Sequence, residues 1–222
     1  MDIVAFIRFT FNSRYVARWI YGGLIMYIPV VNFFSLGYLA KASRILMIGS
    51  IGLPTWEDKM AVWINGVKLL FVFILYEAVP FFLFSSGFFL TTLGSLPAFF
   101  GSIVIKFSYL ALFVFSFFIP FAFSVFAERM DFREALEFEK ILNGIKEVFL
   151  PYLGGYFGTL IALYICKLII NIPYLIGFLL SSLCTYYVFL LATYYFTHLF
   201  KRTSLADARM IEGQSADSAQ SS

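Results

Sequence analysis

Residues 69–90, LLFVFILYEAVPFFLFSSGFFL, form a run of 22 residues with a single charged side chain, Glu77. A helix needs about 20 predominantly apolar residues to cross the hydrocarbon core of a bilayer. The run therefore predicts a transmembrane helix, and it sets the class of the whole chain as an integral membrane protein with an all-α fold.

Three further runs meet the same criterion, at residues 103–126, 152–171 and 174–199. A fifth run, residues 19–39, carries no charge but contains Pro29 and several glycines. We therefore predict a polytopic fold of four transmembrane helices plus an N-terminal broken or re-entrant helical hairpin at 19–39. Residues 1–200 are expected to form one membrane domain, and residues 201–222, a polar tail, are expected to be disordered.

The composition of the whole chain agrees with this class. Apolar residues make up 61% and charged residues 13% of the 222 residues, whereas soluble domains average about 45–50% and 25%. Mean hydropathy is +0.88. The net charge of +3 is too small to indicate nucleic-acid binding. The expected partners are the lipid bilayer and either further copies of the chain, as a homo-oligomer, or other membrane subunits.

The distribution of basic residues predicts the orientation. Thirteen of the 16 Lys and Arg residues fall in four segments, 8–18, 41–59, 129–146 and 201–209. Because basic segments stay in the cytoplasm, we expect a protein of the cytoplasmic (inner) membrane with both termini cytoplasmic. The 19–39 run must then enter and leave on one side, although a kinked ordinary fifth span is the alternative. Residues 128–149 are predicted to form a cytoplasmic amphipathic helix.

Four residues inside the apolar runs are candidates for a functional or structural role. Pro29 disfavours a straight helix through its run, and Asn32 is placed to hydrogen-bond the backbone groups that the break frees. Glu77 must face other helices, be protonated or be paired, because a charged carboxylate facing lipid is costly. Pro80 frees the carbonyl of Tyr76, which with Asn32 is a candidate partner for Glu77. Two interpretations stay open: a proton or cation relay, and a buried carboxylic acid that joins helices.

Small residues recur every fourth position on one predicted helix, at Gly154, Gly158, Ala162 and Cys166. Such a stripe allows another helix to approach closely. We expect Gly154 and Gly158 to mediate helix packing, either within the chain or between copies.

The sequence offers no catalytic, metal-binding or cofactor-binding constellation. Cys166 and Cys184 lie in apolar runs as small hydrophobic residues, and His198 is the only histidine. We therefore expect no enzyme activity, no metal and no cofactor. The function predicted first is a non-catalytic component of a membrane complex or a transport protein for small solutes or lipid. The alternative is an intramembrane lipid-modifying enzyme.

Several short motifs follow one another in an order that resembles a known family. They are Gly22-Gly23, Pro29-Val30-Val31-Asn32, Gly37-Tyr38, Leu53-Pro54-Thr55-Trp56-Glu57-Asp58, Asn65-Gly66-Val67-Lys68, the segment Tyr76–Pro80 and Phe132-Arg133-Glu134-Ala135. This order resembles the prokaryotic membrane family known as domain of unknown function 4013. The resemblance implies a bacterial or archaeal cytoplasmic-membrane protein, and it implies no particular activity.

Overall fold

The computed structural model describes residues 3–50 and 52–206 of the chain. Within these residues the chain forms α-helices and no strand, so the predicted all-α class is confirmed. The helices are α1 (Ile3–Thr10), α2 (Ser13–Ile25), α3 (Asn32–Met47), α4 (Lys59–Thr91), α5 (Ser95–Ser116), α6 (Ile119–Arg129), α7 (Phe138–Glu147), α8 (Phe149–Ile169) and α9 (Tyr174–Phe200). Most of the tail predicted to be disordered, residues 207–222, lies outside the described residues.

Four of these helices are long and apolar enough to cross a membrane, as the sequence predicts. They are α4, α5, α8 and, from Leu175, α9. Large apolar side chains cover the outside of α4 and α5; Phe81, Phe82 and Leu96, for example, are each 71% exposed. An exposed apolar surface of this extent is stable against lipid rather than water.

The prediction that residues 103–126 form a single membrane helix is wrong. The structure ends α5 at Ser116 and begins α6 at Ile119. Pro120 explains the break, because it has no N–H for the carbonyl of Ser116 and its ring crowds that carbonyl. The amide of Phe118 instead bonds the carbonyl of Phe115 at 3.1 Å, a tighter turn that redirects the chain.

The predicted amphipathic helix at 128–149 is also too long. Met130 adopts a left-handed conformation (φ 56°) and ends α6. The side chain of Asp131 accepts a hydrogen bond from the amide of Arg133 at 2.9 Å, which closes a turn. A short 3₁₀ helix, Glu134–Leu136, follows before α7 begins. The local hydrogen bond of Asp131 competes with helix formation, so the helix starts only at Phe138.

The 19–39 run is broken, as predicted, at the turn between α2 and α3. Pro29 lies in this turn, and Val30 next to it has a left-handed conformation (φ 68°). The side chain of Asn32 makes no hydrogen bond among the described residues, so it does not compensate the freed backbone as expected. Ser35 does this instead, because its hydroxyl donates to the carbonyl of Gly22 at 2.7 Å.

The tip of this hairpin lies beside the middle of α9, and its open end lies beside the end of α9. The hydroxyl of Tyr27, a residue in the turn, is 2.7 Å from the hydroxyl of Thr185. Ser43, far along α3, is 2.6 Å from the hydroxyl of Thr197. The path of α3 from the turn therefore follows α9 towards its C-terminal end.

Two pairs of glycines set the closest approaches between helices. A Cβ atom on Gly37 of α3 would collide with the carbonyl of Val62 and approach the amide of Gly66 of α4 to 3.0 Å. A Cβ atom on Gly87 of α4 would lie 2.9 Å from the carbonyl oxygen of Gly101 of α5. Only hydrogen fits at these crossings, so α4 is held against α3 at one end and against α5 at the other.

Candidate functional site

The membrane helices form two hairpins that meet at one end. Helices α4 and α5 pack on each other, and so do α8 and α9. Side chains connect the two hairpins, because Phe113 and Ser116 of α5 contact Tyr156 of α8. Helices α3 and α6 lie between the two hairpins at their shared end, where α3 contacts α4, α6 and α9. We refer to the space between the two hairpins, which Phe73 of α4 and Thr159 of α8 both line, as the cleft.

An apolar cavity of about 130 Å³ lies where the cleft meets α3 and α6. Its walls come from five helices and are almost entirely apolar: Leu36 and Leu39 of α3, Phe73 of α4, Ile119, Pro120 and Phe123 of α6, Thr159 of α8, and Phe189, Ala192, Thr193 and Phe196 of α9. The hydroxyl of Thr159 donates to the carbonyl of Gly155 at 2.8 Å, so it offers the cavity no free donor. Such a lining favours an apolar occupant.

Polar side chains border this cavity at the break between α5 and α6. The hydroxyl groups of Tyr156 and Ser116 lie 2.6 Å apart. Ser116 also donates to the carbonyl of Phe113 at 3.1 Å. Tyr152, one turn before Tyr156, donates to the carbonyl of Phe117 at 2.5 Å. These hydroxyls provide hydrogen bonds to the irregular backbone around Ser116–Ile119, which would otherwise be unsatisfied in an apolar environment.

Glu77 belongs to the same border. It lies one turn beyond the cavity residue Phe73 on α4. One of its oxygens, Oε2, is inaccessible to solvent and has no hydrogen-bond partner. Tyr76, the preceding residue, donates to the carbonyl of Ala135 at 2.8 Å, so the segment after α6 packs on α4 at this level. We refer to Glu77, Ser116 and Tyr156 as the polar border.

Asn32, one of the two candidate partners of Glu77, makes no hydrogen bond with it among the described residues. Both side chains have a buried oxygen without a partner, and no hydrogen bond joins them. Asn32 instead begins α3, where the carbonyl of the next residue, Phe33, lies against Gly66. Pro80 is buried inside α4 without interrupting the helix. Of the residues singled out from sequence, Glu77 lies at the cleft, whereas Pro29 and Asn32 lie at the turn between α2 and α3.

Gly154 and Gly158 make no close contact within the chain. A Cβ atom on either glycine would meet nothing within 4 Å. Gly155, which the stripe omits, is the residue in close contact, because a Cβ atom there would collide with the ring of Tyr195. Within the chain, α8 therefore packs on α9 through Gly155 and not through Gly154 or Gly158. Packing between copies of the chain through Gly154 and Gly158 stays a prediction.

Sequence reasoning missed Tyr152, Tyr156 and Ser116. Two signals were present: Tyr152 and Tyr156 lie four residues apart on one face of an apolar helix, and Pro120 follows Ser116 at the spacing that frees its carbonyl. Among the described residues, no group of three or more His, Cys, Asp or Glu side chains is arranged to hold a metal ion. Cys166 and Cys184 are both free thiols.

The fold and the cleft together define a class: an all-α protein with four helices that can cross a membrane and an apolar cavity between them. The chain belongs to the family described as "Protein of unknown function (DUF4013)", whose model matches residues 20–185. That match confirms the resemblance seen in the sequence motifs. Comparison with curated proteins and with solved structures found no match to this chain.

Proposed function

We propose that this protein is a non-catalytic multi-pass protein of the cytoplasmic membrane that binds an apolar chain, such as the acyl chain of a lipid, in the cavity between its two helical hairpins. The observation that carries the proposal is the cavity of about 130 Å³ with its apolar walls. Apolar cavities of about 150 Å³ hold a molecule the size of benzene. This cavity therefore suits a segment of a chain rather than a hydrated solute.

The cleft supplies an entry path for such a ligand. Because the exposed side chains of α4 and the walls of the cavity are both apolar, we propose that lipid chains reach the cavity sideways from the bilayer. The narrow end is closed by α3 and α6, which hold the cavity residues Leu36 and Phe123. A pocket open towards lipid and closed at its base favours lipid binding over a continuous aqueous pore.

The proposed topology places the hairpin of α2 and α3 in the membrane as a re-entrant element. Phe6 of α1 stacks on Tyr194, with ring centroids 3.8 Å apart, at the same end of α9 as the Ser43–Thr197 contact. At about 1.5 Å rise per residue, Ser181 beside the turn is roughly 24 Å from Thr197 along α9. The chain thus approaches and leaves from one end of α9, and we place both termini in the cytoplasm on the positive-inside rule.

Photolabelling in bilayer nanodiscs tests the proposed binding. A fatty-acid methyl ester with a diazirine near the end of its chain serves as the probe, and labelled residues are mapped by mass spectrometry. We expect labels on cavity residues, and we expect Ala192→Phe, which adds a ring to the cavity wall, to reduce labelling several-fold. The matched control is Ala78→Phe on the exposed side of α4. Equal labelling of both variants and the wild type would contradict the proposal, provided that all three unfold at similar temperatures.

A further inference from the structure

Two of the three groups of the polar border lie about one helical turn from a wall of the cavity. Glu77 follows Phe73 by four residues on α4, and Tyr156 precedes Thr159 by three on α8. Residues at these spacings share a helix face. At about 1.5 Å rise per residue, Glu77 lies roughly 6 Å along α4 from the cavity residue Phe73. The polar end of a ligand whose apolar chain fills the cavity can therefore reach Glu77.

The hydroxyl protons of the polar border are already used within the protein. The hydroxyls of Ser116 and Tyr156 lie 2.6 Å apart, and the carbonyl of Phe113 is 3.1 Å from the first and 3.4 Å from the second. One hydroxyl donates to the other, and the carbonyl of Phe113 accepts the remaining proton. Neither hydroxyl then has a proton left for Glu77. The border offers an incoming ligand an acceptor, the carboxylate, and no free donor.

The carboxylate of Glu77 lacks a hydrogen-bond donor at one of its two oxygens. Its Oε2 atom is shielded from solvent and has no hydrogen-bond partner, and no Lys or Arg of the described residues forms an ion pair with it. A buried acceptor without a partner is unfavourable, and a carboxylate in a low-dielectric environment is stabilised most by a cation that also donates hydrogen bonds.

We propose that Glu77 recognises the amine of a cationic or zwitterionic amphiphile whose chain occupies the cavity. This inference rests on the proposed function, because it assigns the polar end of the same ligand. The ammonium group donates hydrogen bonds to the carboxylate of Glu77. Selectivity follows from this donor requirement: a chain that ends in a group with acceptors only leaves Glu77 unpaired.

Two photoreactive probes with one chain and different ends test the inference. The first is a long-chain primary amine and the second is the corresponding methyl ester, each competing with its unlabelled form in nanodiscs of phosphatidylcholine. We expect the wild-type protein to bind the amine at least about tenfold more tightly than the ester. Glu77→Gln should remove this preference by weakening amine binding about tenfold, because glutamine keeps the size of the side chain but not its charge. Glu139→Gln, at an exposed position of α7, is the matched control and should keep the preference.

The outcomes separate the two proposals. Equal binding of both probes to the wild type, with Ala192→Phe still weakening both, would overturn the role of Glu77 and leave the cavity as the binding site. An amine preference that survives in Glu77→Gln would also overturn it. Failure of both probes to label the cavity would overturn the proposed function and this inference together. Thermal unfolding of Glu77→Gln with and without the ester confirms that the variant folds.

Discussion

Gly37 of α3 and Gly66 of α4 lie backbone against backbone, so that a Cβ atom on either would meet the main chain of the other helix. The carbonyl of Val62 blocks the position at Gly37, and the carbonyl of Phe33 blocks the position at Gly66. Because the obstacles are main-chain atoms inside two helices, they cannot rotate away as a flexible side chain can. This contact joins the first hairpin to the longest membrane helix.

We predict that Gly37→Ala destabilises the protein, since one helix must move to make room for the methyl group. Overpacking of this kind costs about 1–3 kcal/mol. Gly154→Ala is the matched control, because a Cβ atom at Gly154 meets nothing within 4 Å and alanine favours a helix over glycine. Circular dichroism during unfolding in mild detergent compares the stability of the two variants. A Gly37→Ala variant as stable as Gly154→Ala would show that α3 and α4 are not tightly packed at this crossing.

The proposed path of the hairpin predicts a pattern of cysteine accessibility. In a background with Cys166→Ala and Cys184→Ala, we expect Arg8→Cys and Ser50→Cys to react with a membrane-impermeant maleimide from the same side. Leu93→Cys, between α4 and α5, should react from the other side. Intact cells and inverted vesicles provide the two directions of access. If Arg8→Cys and Ser50→Cys react from opposite sides, the hairpin is an ordinary span.

Glu147 at the end of α7 predicts a pH-dependent contact outside the membrane helices. The Ser204 hydroxyl and, at 2.8 Å, the Ser204 amide donate to its carboxylate. These two hydrogen bonds lower the pKa of Glu147 below the ordinary value of a glutamate. A lowered pKa in the folded protein means that the contact stabilises the fold above the ordinary glutamate pKa and is lost as the pH falls through the lowered value.

Nuclear magnetic resonance of the protein in detergent micelles measures this effect. The amide proton of Ser204 should shift as the pH is lowered from neutral to about pH 3, with a midpoint below the ordinary glutamate pKa of about 4.3. Glu147→Gln should abolish the shift, because glutamine does not titrate. A midpoint at or above the ordinary value would contradict the predicted contact.

The sequence predicts the parts of this fold that depend on local composition. The apolar runs identify the helices able to cross a membrane, because length and hydropathy are properties of each run alone. Pro29 likewise marks the break between α2 and α3. Pro120 carries the same kind of information, yet the prediction treated residues 103–126 as one helix, since proline is common inside membrane helices and hydropathy does not distinguish a kink from a break.

The candidate site depends on contacts between distant residues, and the sequence predicts it only in part. Glu77 is recognisable because a carboxylate inside an apolar run is unusual at any position. Its neighbour Tyr156 is not recognisable in this way, since nothing local says that α8 packs against the end of α5. The same limit explains the error over Asn32: α3 does pack on α4, but Phe33, next to Asn32, lies against Gly66, three helical turns before Glu77.

Helix α5 shows what this architecture requires from its surroundings. Only 11% of the residues in its most apolar stretch are buried inside the protein, the smallest share among the four membrane helices. The remaining van der Waals contacts of α5 must come from acyl chains, so the bilayer acts as a structural neighbour of this helix. Bilayer thickness and composition are therefore expected to influence the position of α5 relative to the other helices.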